Sequence, residues 1–222
     1  MKNLLLKSLI VTTIISCCIE QSFSQTFKKG SLYISLTEGS TNATFTTIKN
    51  NTNRYKNQNI IDLGGERDPL IIEYGITSKT GISITMGNDI FTINPQNHYG
   101  NTFKETGETK VKTSEFTIDF NYHLYNTKKI DISTFVSLGK FSLEFKGTES
   151  DFNYKYIANG GIMRLGGRTK YYFSKRMGVM AMLSTFSGNC SPINVKETNI
   201  AKDFNTNLTG FSTEFGLCFR FF

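Results

Sequence analysis

At 222 residues the chain has room for one large all-β unit and is short for two independent domains. Nineteen Phe, ten Tyr, three Pro and no Trp, with plentiful Asn, Thr, Ser and Gly, favour strands joined by polar loops and make helix the minority state. The formal net charge of +7 comes from basic residues scattered one or two at a time without a recognition motif, which argues for a basic solvated surface and against a nucleic-acid partner.

The chain starts MKNLLLKSLIVTTIISCCIEQSFSQ. A basic start (Lys2, Lys7), an apolar run from Leu4 to Ile15 and a small-residue site at Ser22-Phe23-Ser24 form the layout of a secretory signal peptide, and the run is too short to span a bilayer. Residues 1–24 are therefore expected to be removed, leaving 25–222 as one domain. A second reading stays open: Ile14-Ile15-Ser16-Cys17 resembles a bacterial lipobox, with cleavage before Cys17 and lipid on its sulfur. Loss of Lys2, Lys7 and Glu20 with the leader leaves a mature charge of +6.

Past the leader, apolar and polar residues alternate with the period of a half-buried strand. Eight such stretches fall near 30–38, 68–77, 81–91, 114–125, 130–139 (extending towards 146), 160–173, 177–187 and 209–222. In SEFTIDFNYHLY, residues 114–125, Phe116, Ile118, Phe120, Tyr122 and Leu124 share one face and Thr117, Asp119, Asn121 and His123 the other. The last strand sets Phe211, Thr213, Phe215, Leu217, Phe219 and Phe221 opposite Ser212, Glu214, Gly216, Cys218 and Arg220. Connections of hairpin length (Ser78–Thr80, Asn126–Lys129, Ser174–Arg176) alternate with long polar ones, about 39–67, 92–113, 147–159 and 188–208, so the long ones gather at one end.

Alternation alone does not say which face looks inward. The polar face is built of Gly, Ser, Thr and Asn with one or two charges per strand, which suits the crowded interior of an eight-stranded barrel. Its charges, Glu73, Asp119, Asp131 and Glu214 against Arg164, Arg168, Lys170 and Arg220, balance, as an enclosed polar core requires. Arg168 is expected level with Glu73, Asp119 and Glu214, Arg164 above it, and Asp131, Lys170 and Arg220 nearer the short turns. Aromatics crowd both ends: Tyr122, Tyr125, Tyr171, Tyr172, Phe173, Phe219, Phe221 and Phe222 at the short turns, and Phe91, Phe116, Phe145, Phe186 and Phe211 at the opposite rim, although alternation turns Phe186 inward. The ten-residue step from Phe211 to Phe221 spans about 25 Å along a membrane normal at roughly 3.3 Å per residue and ~40° of tilt.

Leader, eight alternating strands, alternating connections and an aromatic C-terminus together resemble a small bacterial outer-membrane β-barrel, similar in layout to the OmpX, OmpA and OmpW barrels. The resemblance implies an all-β, eight-stranded antiparallel up-and-down transmembrane barrel, preceded by a signal peptide and located in the bacterial outer membrane among its lipids and lipopolysaccharide. It also implies that the C-terminal strand, with Phe215, Leu217, Phe219 and Phe221 facing lipid, is the signal that the barrel-assembly machinery recognises. Phe222 stands one step out of phase with that series.

No constellation for chemistry stands out. His98 lies in a predicted loop and His123 in the lumen. The hydrolases among such barrels show a His and a Ser two residues apart, and neither His98-Tyr99-Gly100 nor His123-Leu124-Tyr125 supplies it, which leaves open only a triad assembled across loops from His98 with a distant Ser and Asp. No catalytic, cofactor-binding or metal site is assigned, and no cofactor is expected. Cys190 and Cys218 belong to opposite ends and are expected unpaired. Leu63-Gly64-Gly65 reads as a turn and Leu165-Gly166-Gly167-Arg168 as room for lumen side chains, not as phosphate cradles. The first long loop, with Lys49, Arg54, Lys56 and Arg67 against Asp62 and Glu66, has the character of a contact for lipopolysaccharide phosphates or of a loop with no ligand. The function expected is non-enzymatic: a barrel with a plugged polar lumen and a structural or surface-interaction role. Transport of a small or apolar solute, or service as a subunit of a secretion or membrane-assembly machine with an unidentified partner, are the alternatives.

Overall fold

A computed structural model describes residues 26–49, 58–93, 110–149, 152–196 and 204–221. The expected leader with Cys17, and His98, Arg54, Lys56 and Phe222, lie outside the described residues, as do the side chains of Lys49 and Phe145. Nine strands follow in order: β1 Leu32–Lys49, β2 Gln58–Arg67, β3 Leu70–Gly75, β4 Thr80–Ile93, β5 Lys110–Asn126, β6 Ile130–Glu149, β7 Phe152–Tyr172, β8 Met177–Lys196 and β9 Phe204–Arg220.

All pairings are antiparallel, and β9 returns to pair with β1 from Tyr33↔Arg220 to Lys49↔Phe204, closing the sheet on itself. β2 and β3 act as one strand. Both pair with β1, Gly39↔Arg67 and Leu36↔Leu70 keeping a single register, and both pair with β4, Leu63↔Ile93 and Leu70↔Met86 likewise. The break falls at Asp68-Pro69 because proline has no amide hydrogen to give the ladder. The architecture is thus the expected eight-stranded up-and-down barrel, which leaves no backbone edge unpaired in lipid.

Orientation follows the alternation. Phe116, Ile118, Phe120, Tyr122 and Leu124 point outward and are exposed, while Glu115, Thr117, Asp119, Asn121 and His123 are buried inside. A bulge between His123 and Tyr125 adds one residue to β5, so Leu124 and Tyr125 are both exposed on consecutive positions. Around the wall the outward apolar residues, among them Leu36, Ile84, Leu138, Leu165, Leu183 and Phe215, form a belt at the short-turn end.

The strands run on well past this belt. Residues expected in long loops, 39–49, 58–67, 110–113, 147–149, 152–159, 188–196 and 204–208, are strand, so Gly64 and Gly65 belong to β2 and not to a turn. Beyond the belt the polarity of the two faces exchanges. On β6 the outward series reads Ile130, Ile132, Thr134, Val136, Leu138 and then Lys140, Ser142, Glu144, while the inward series reads Asp131, Ser133, Phe135, Ser137 and then Phe141, Leu143. β8 makes the exchange on its outer face, passing from Val179 and Leu183 to Thr185, Ser187 and Asn189, while its inner face carries Met180, Met182 and Ser184 and then Phe186 and Cys190.

The part of the barrel in the belt is oily outside and holds the lumen's charged groups beside a smaller apolar cluster of Ile71, Phe135, Met180 and Met182; the collar beyond it is polar outside with an apolar core. That core packs Phe45, Leu63, Phe91, Phe141, Leu143 and Phe186 together with smaller neighbours. Of the aromatics expected at the upper rim, Phe91 therefore lies inside, Phe186 lies inside as its alternation indicates, and Phe116 and Phe211 are exposed on the outer face. An apolar side chain above the bilayer faces water on the outer wall, so burial in the lumen is the lower-energy choice.

Candidate functional site

The lumen is the site, and it is filled in three tiers. The collar tier is apolar, so the lumen is not polar along its whole length as expected.

Below it lies an ionic tier centred on Arg67. This residue, expected in a surface loop, is buried on β2 at the last step before Asp68-Pro69. Its guanidinium donates from Nε to Glu214 Oε1 at 2.9 Å, from Nη1 to Asp89 Oδ1 at 3.1 Å, and from Nη2 to Glu115. Arg164 clamps the same Glu115, with Nη2 and Nε at 2.7 and 2.9 Å from Oε2, and lies 4.4 Å from the ring centroid of Phe186 above it. The remaining carboxylate lone pairs are used too. Thr113 Oγ1 donates to Asp89 at 2.7 Å and Ser212 Oγ to Glu214 at 2.9 Å. Three carboxylates from three strands meet two guanidiniums with every member hydrogen-bonded, the condition under which buried charge is tolerated.

Gly87 explains how Arg67 fits. A Cβ at this position would stand 2.9 Å from Arg67 Nη2, so the glycine leaves the guanidinium its berth. Gly87→Val is expected to displace Arg67 and cost about 1–3 kcal/mol, as overpacking does, read as a lower urea midpoint for the folded barrel in lipid vesicles.

One step towards the short turns, Arg168 donates from Nη2 to Asp119 Oδ2 at 2.6 Å and from Nη1 to Asn121 Oδ1 at 2.8 Å, and its guanidinium lies 4.1 Å from the Phe135 centroid. Asp119 also accepts from Ser83, Thr85 and Thr117. Lower still, Lys170 Nζ lies 2.5 Å from Glu73 Oε2 and 3.8 Å from Asp131 Oδ2. His123 bridges the same two carboxylates, Nδ1 at 2.6 Å from Asp131 and Nε2 at 3.1 Å from Glu73.

The expected levels are thus partly rearranged. Asp119 is level with Arg168, but Glu214 belongs above it with Arg67 and Glu73 below it with Lys170. The balance of four against four also changes. Among the described residues six buried carboxylates, Glu73, Asp89, Glu115, Asp119, Asp131 and Glu214, face four fully buried cations, Arg67, Arg164, Arg168 and Lys170. His123, set between Glu73 and Asp131, and the half-buried Arg220 are the remaining groups there able to carry positive charge.

The lowest tier is a cork made by the segment ahead of β1. Phe27 is buried and stacks on the His123 ring at a centroid distance of 3.4 Å. Asn126 holds it from below, its Oδ1 accepting from Phe27 N at 3.0 Å and its Nδ2 donating to Phe27 O at 2.7 Å. Thr26 O accepts from Tyr33 Oη at 2.8 Å and from Arg220 Nη1 at 3.2 Å. Gly30, with φ of 80°, makes the turn that brings this segment back under the barrel.

Of the C-terminal residues expected to face lipid, Phe215 is 63% exposed and Phe221 40%. Leu217 is half-buried, and Phe219, between Ile34 and Met177 in register, is 4% exposed. Phe219 is therefore packed, not open to lipid: near the seam the neighbouring chains cover it. Cys190 and Cys218 are both buried and not joined in a disulfide, one in the collar core and one in the lower cluster. Among the described residues no group of His, Cys, Asp and Glu is arranged to hold a metal ion.

Arg67, Asp89 and Glu115 were missed by sequence reasoning. Glu115 and Asp89 lie within the expected strands 114–125 and 81–91 and share parity with the lumen residues Asp119 and Ser83, so following the alternation to the ends of those strands finds them. For Arg67 the local signal, Gly64-Gly65 before and Asp68-Pro69 after, is that of a turn.

A closed antiparallel sheet with an oily belt about 25 Å tall and an ion-paired interior is a transmembrane β-barrel. No family model matches the sequence, and no curated protein is similar to it in sequence. Among solved structures it is similar to the outer membrane protein OprG from Pseudomonas aeruginosa, with a TM-score of 0.56 at 13% identity over 88% of this chain and 97% of that one. The outer membrane protease OmpT from Escherichia coli gives a TM-score of 0.49 at 8% identity over 90% and 99%. Ail, the attachment invasion locus protein of Yersinia pestis, gives 0.41 at 11% identity over 87% and 99%. By its fold and its apolar belt the chain has the architecture of an outer-membrane β-barrel.

Proposed function

We propose that the protein is a non-enzymatic outer-membrane barrel with a sealed lumen, whose collar and connections serve a structural or surface-contact role. The carrying observation is the Arg67 tier: its guanidinium reaches carboxylates on β4, β5 and β9, so ion pairs bridge the lumen from wall to wall. Packed aromatics above it and the Phe27 cork below add two further barriers. Planar-bilayer recording of the purified barrel is expected to show no steady single-channel steps. Reproducible steps would favour the transport reading instead.

His123, the one histidine among the described residues, supports the same view. His123 faces Ser133 across the β5–β6 ladder and is bonded to Asp131, which resembles a catalytic array. Its Nε2, however, is directed to Glu73 and not to Ser133, so no hydroxyl is activated as a nucleophile. His123, Asp131 and Ser133 are all buried above the cork. Delivery to the membrane falls to the assembly machinery, for which β9, with Phe215 and Phe221 outward, is the recognised segment.

A further inference from the structure

The outer wall is not smooth where β5, β6 and β7 cross the upper edge of the belt. A groove of about 800 Å³ opens there, lined on its outer side by Ser114, Phe116, Lys140, Ser142, Asn159 and Gly161. Two glycines shape it: a Cβ on Gly139 would stand 2.1 Å from Phe116 O, and one on Gly160 would stand 1.8 Å from Asn189 O. At both positions neighbouring backbones close in more tightly than any other residue allows, which bends the sheet. Gly161 is different. The atom nearest its Cβ position is Gly139 O at 3.8 Å, so its missing side chain leaves open space that forms the groove.

The chemistry of the groove divides along the membrane normal. In register with Lys140 are Phe116 and Gly161, and the next outward residues towards the short turns are Leu138 and Met163, both well exposed. Towards the collar the next ones are Ser114, Ser142 and Asn159. Lys140 is exposed and, among the described residues, makes no ion pair, whereas Lys112 on the neighbouring strand faces Glu144. Glu115 reaches the groove from the inner side, but its carboxylate is taken up by Arg67 and Arg164. An unmatched cation therefore stands with hydroxyl and amide donors at headgroup level, directly above an apolar track.

We propose that this groove holds the phosphorylated headgroup of an outer-leaflet lipid. Lys140 pairs with the phosphate, Ser142 and Asn159 donate hydrogen bonds to it, and an acyl chain descends over Phe116, Leu138 and Met163. The site rests on the membrane-barrel reading and adds to it a specific lipid contact on the wall, separate from the sealed lumen.

The test uses the full mature chain, folded in a nonionic detergent and offered bis-phosphorylated lipid A or its dephosphorylated form, with retained lipid counted by native mass spectrometry. Wild type is expected to retain the phosphorylated lipid at least about five-fold better, the factor expected from one lysine beside a charged membrane surface. Lys140→Gln is expected to lower retention to that of the dephosphorylated form, and Gly161→Leu, which fills the groove, to lower retention of both. Equal retention of the two lipids by wild type, or undiminished phosphate preference in Lys140→Gln, would overturn the site. Heat-modifiable gel migration, run on each sample, separates the two levels of failure: no shift for wild type sinks the barrel reading, whereas a shifted, folded barrel without phosphate preference sinks this site alone.

Discussion

Arg67→Met is expected to cost about 3–5 kcal/mol, the range for removing one partner from a buried ionic cluster. The methionine fills a similar volume, so the loss is electrostatic: Asp89, Glu115 and Glu214 remain buried, with Arg164 close to the first two. Urea titration of the barrel folded into vesicles, followed by the fraction that migrates as the unboiled form, measures it. Adding Glu214→Gln to Arg67→Met removes one of the orphaned charges and is expected to recover part of the loss, because residues sharing one network do not act additively. A cost below about 1 kcal/mol would mean that water solvates the three carboxylates in the lumen, and the sealed-barrel reading would fail with it.

A second large effect separates the belt from the collar. Phe120 and Asn189 both point outward, Phe120 within the belt, 55% exposed, and Asn189 on the collar. Phe120→Arg is expected to cost roughly 2–4 kcal/mol, as an arginine on the lipid face near mid-depth does. Asn189→Arg, in water, is expected to change stability by less than about 0.5 kcal/mol. The same vesicle titration measures both. If the two arginines cost the same, the exchange of faces does not mark the membrane edge.

Most of the fold is legible in the sequence because period-two alternation survives along every strand, and closure, strand number and orientation follow from it. The collar is harder to see. Outside the bilayer the wall is covered by Ser, Thr and Asn, the same residues that signal loops, so Thr185-Phe186-Ser187-Gly188-Asn189 looks like the end of a strand when it is the middle of one. The alternation persists there with its sign reversed. Asp119, Arg168, Lys170 and Glu73 are visible as lumen residues by parity, but which of them meet depends on stagger between strands, which parity alone does not supply. The cork at Thr26-Phe27 carries no periodic signal at all, since it is fixed by contacts to Asn126 and Arg220, residues far away in the chain.

The collar has a kinetic consequence. Its hydrated exterior has to pass through hydrocarbon once, on the way in, and would have to pass again to be withdrawn, desolvating Ser, Thr, Asn and Lys side chains each time. It behaves like the head of a rivet. Unaided entry should be slow and dependent on a catalyst, while extraction, with no such help, should be slower still, so that residence in the bilayer is governed by a barrier and not by an equilibrium.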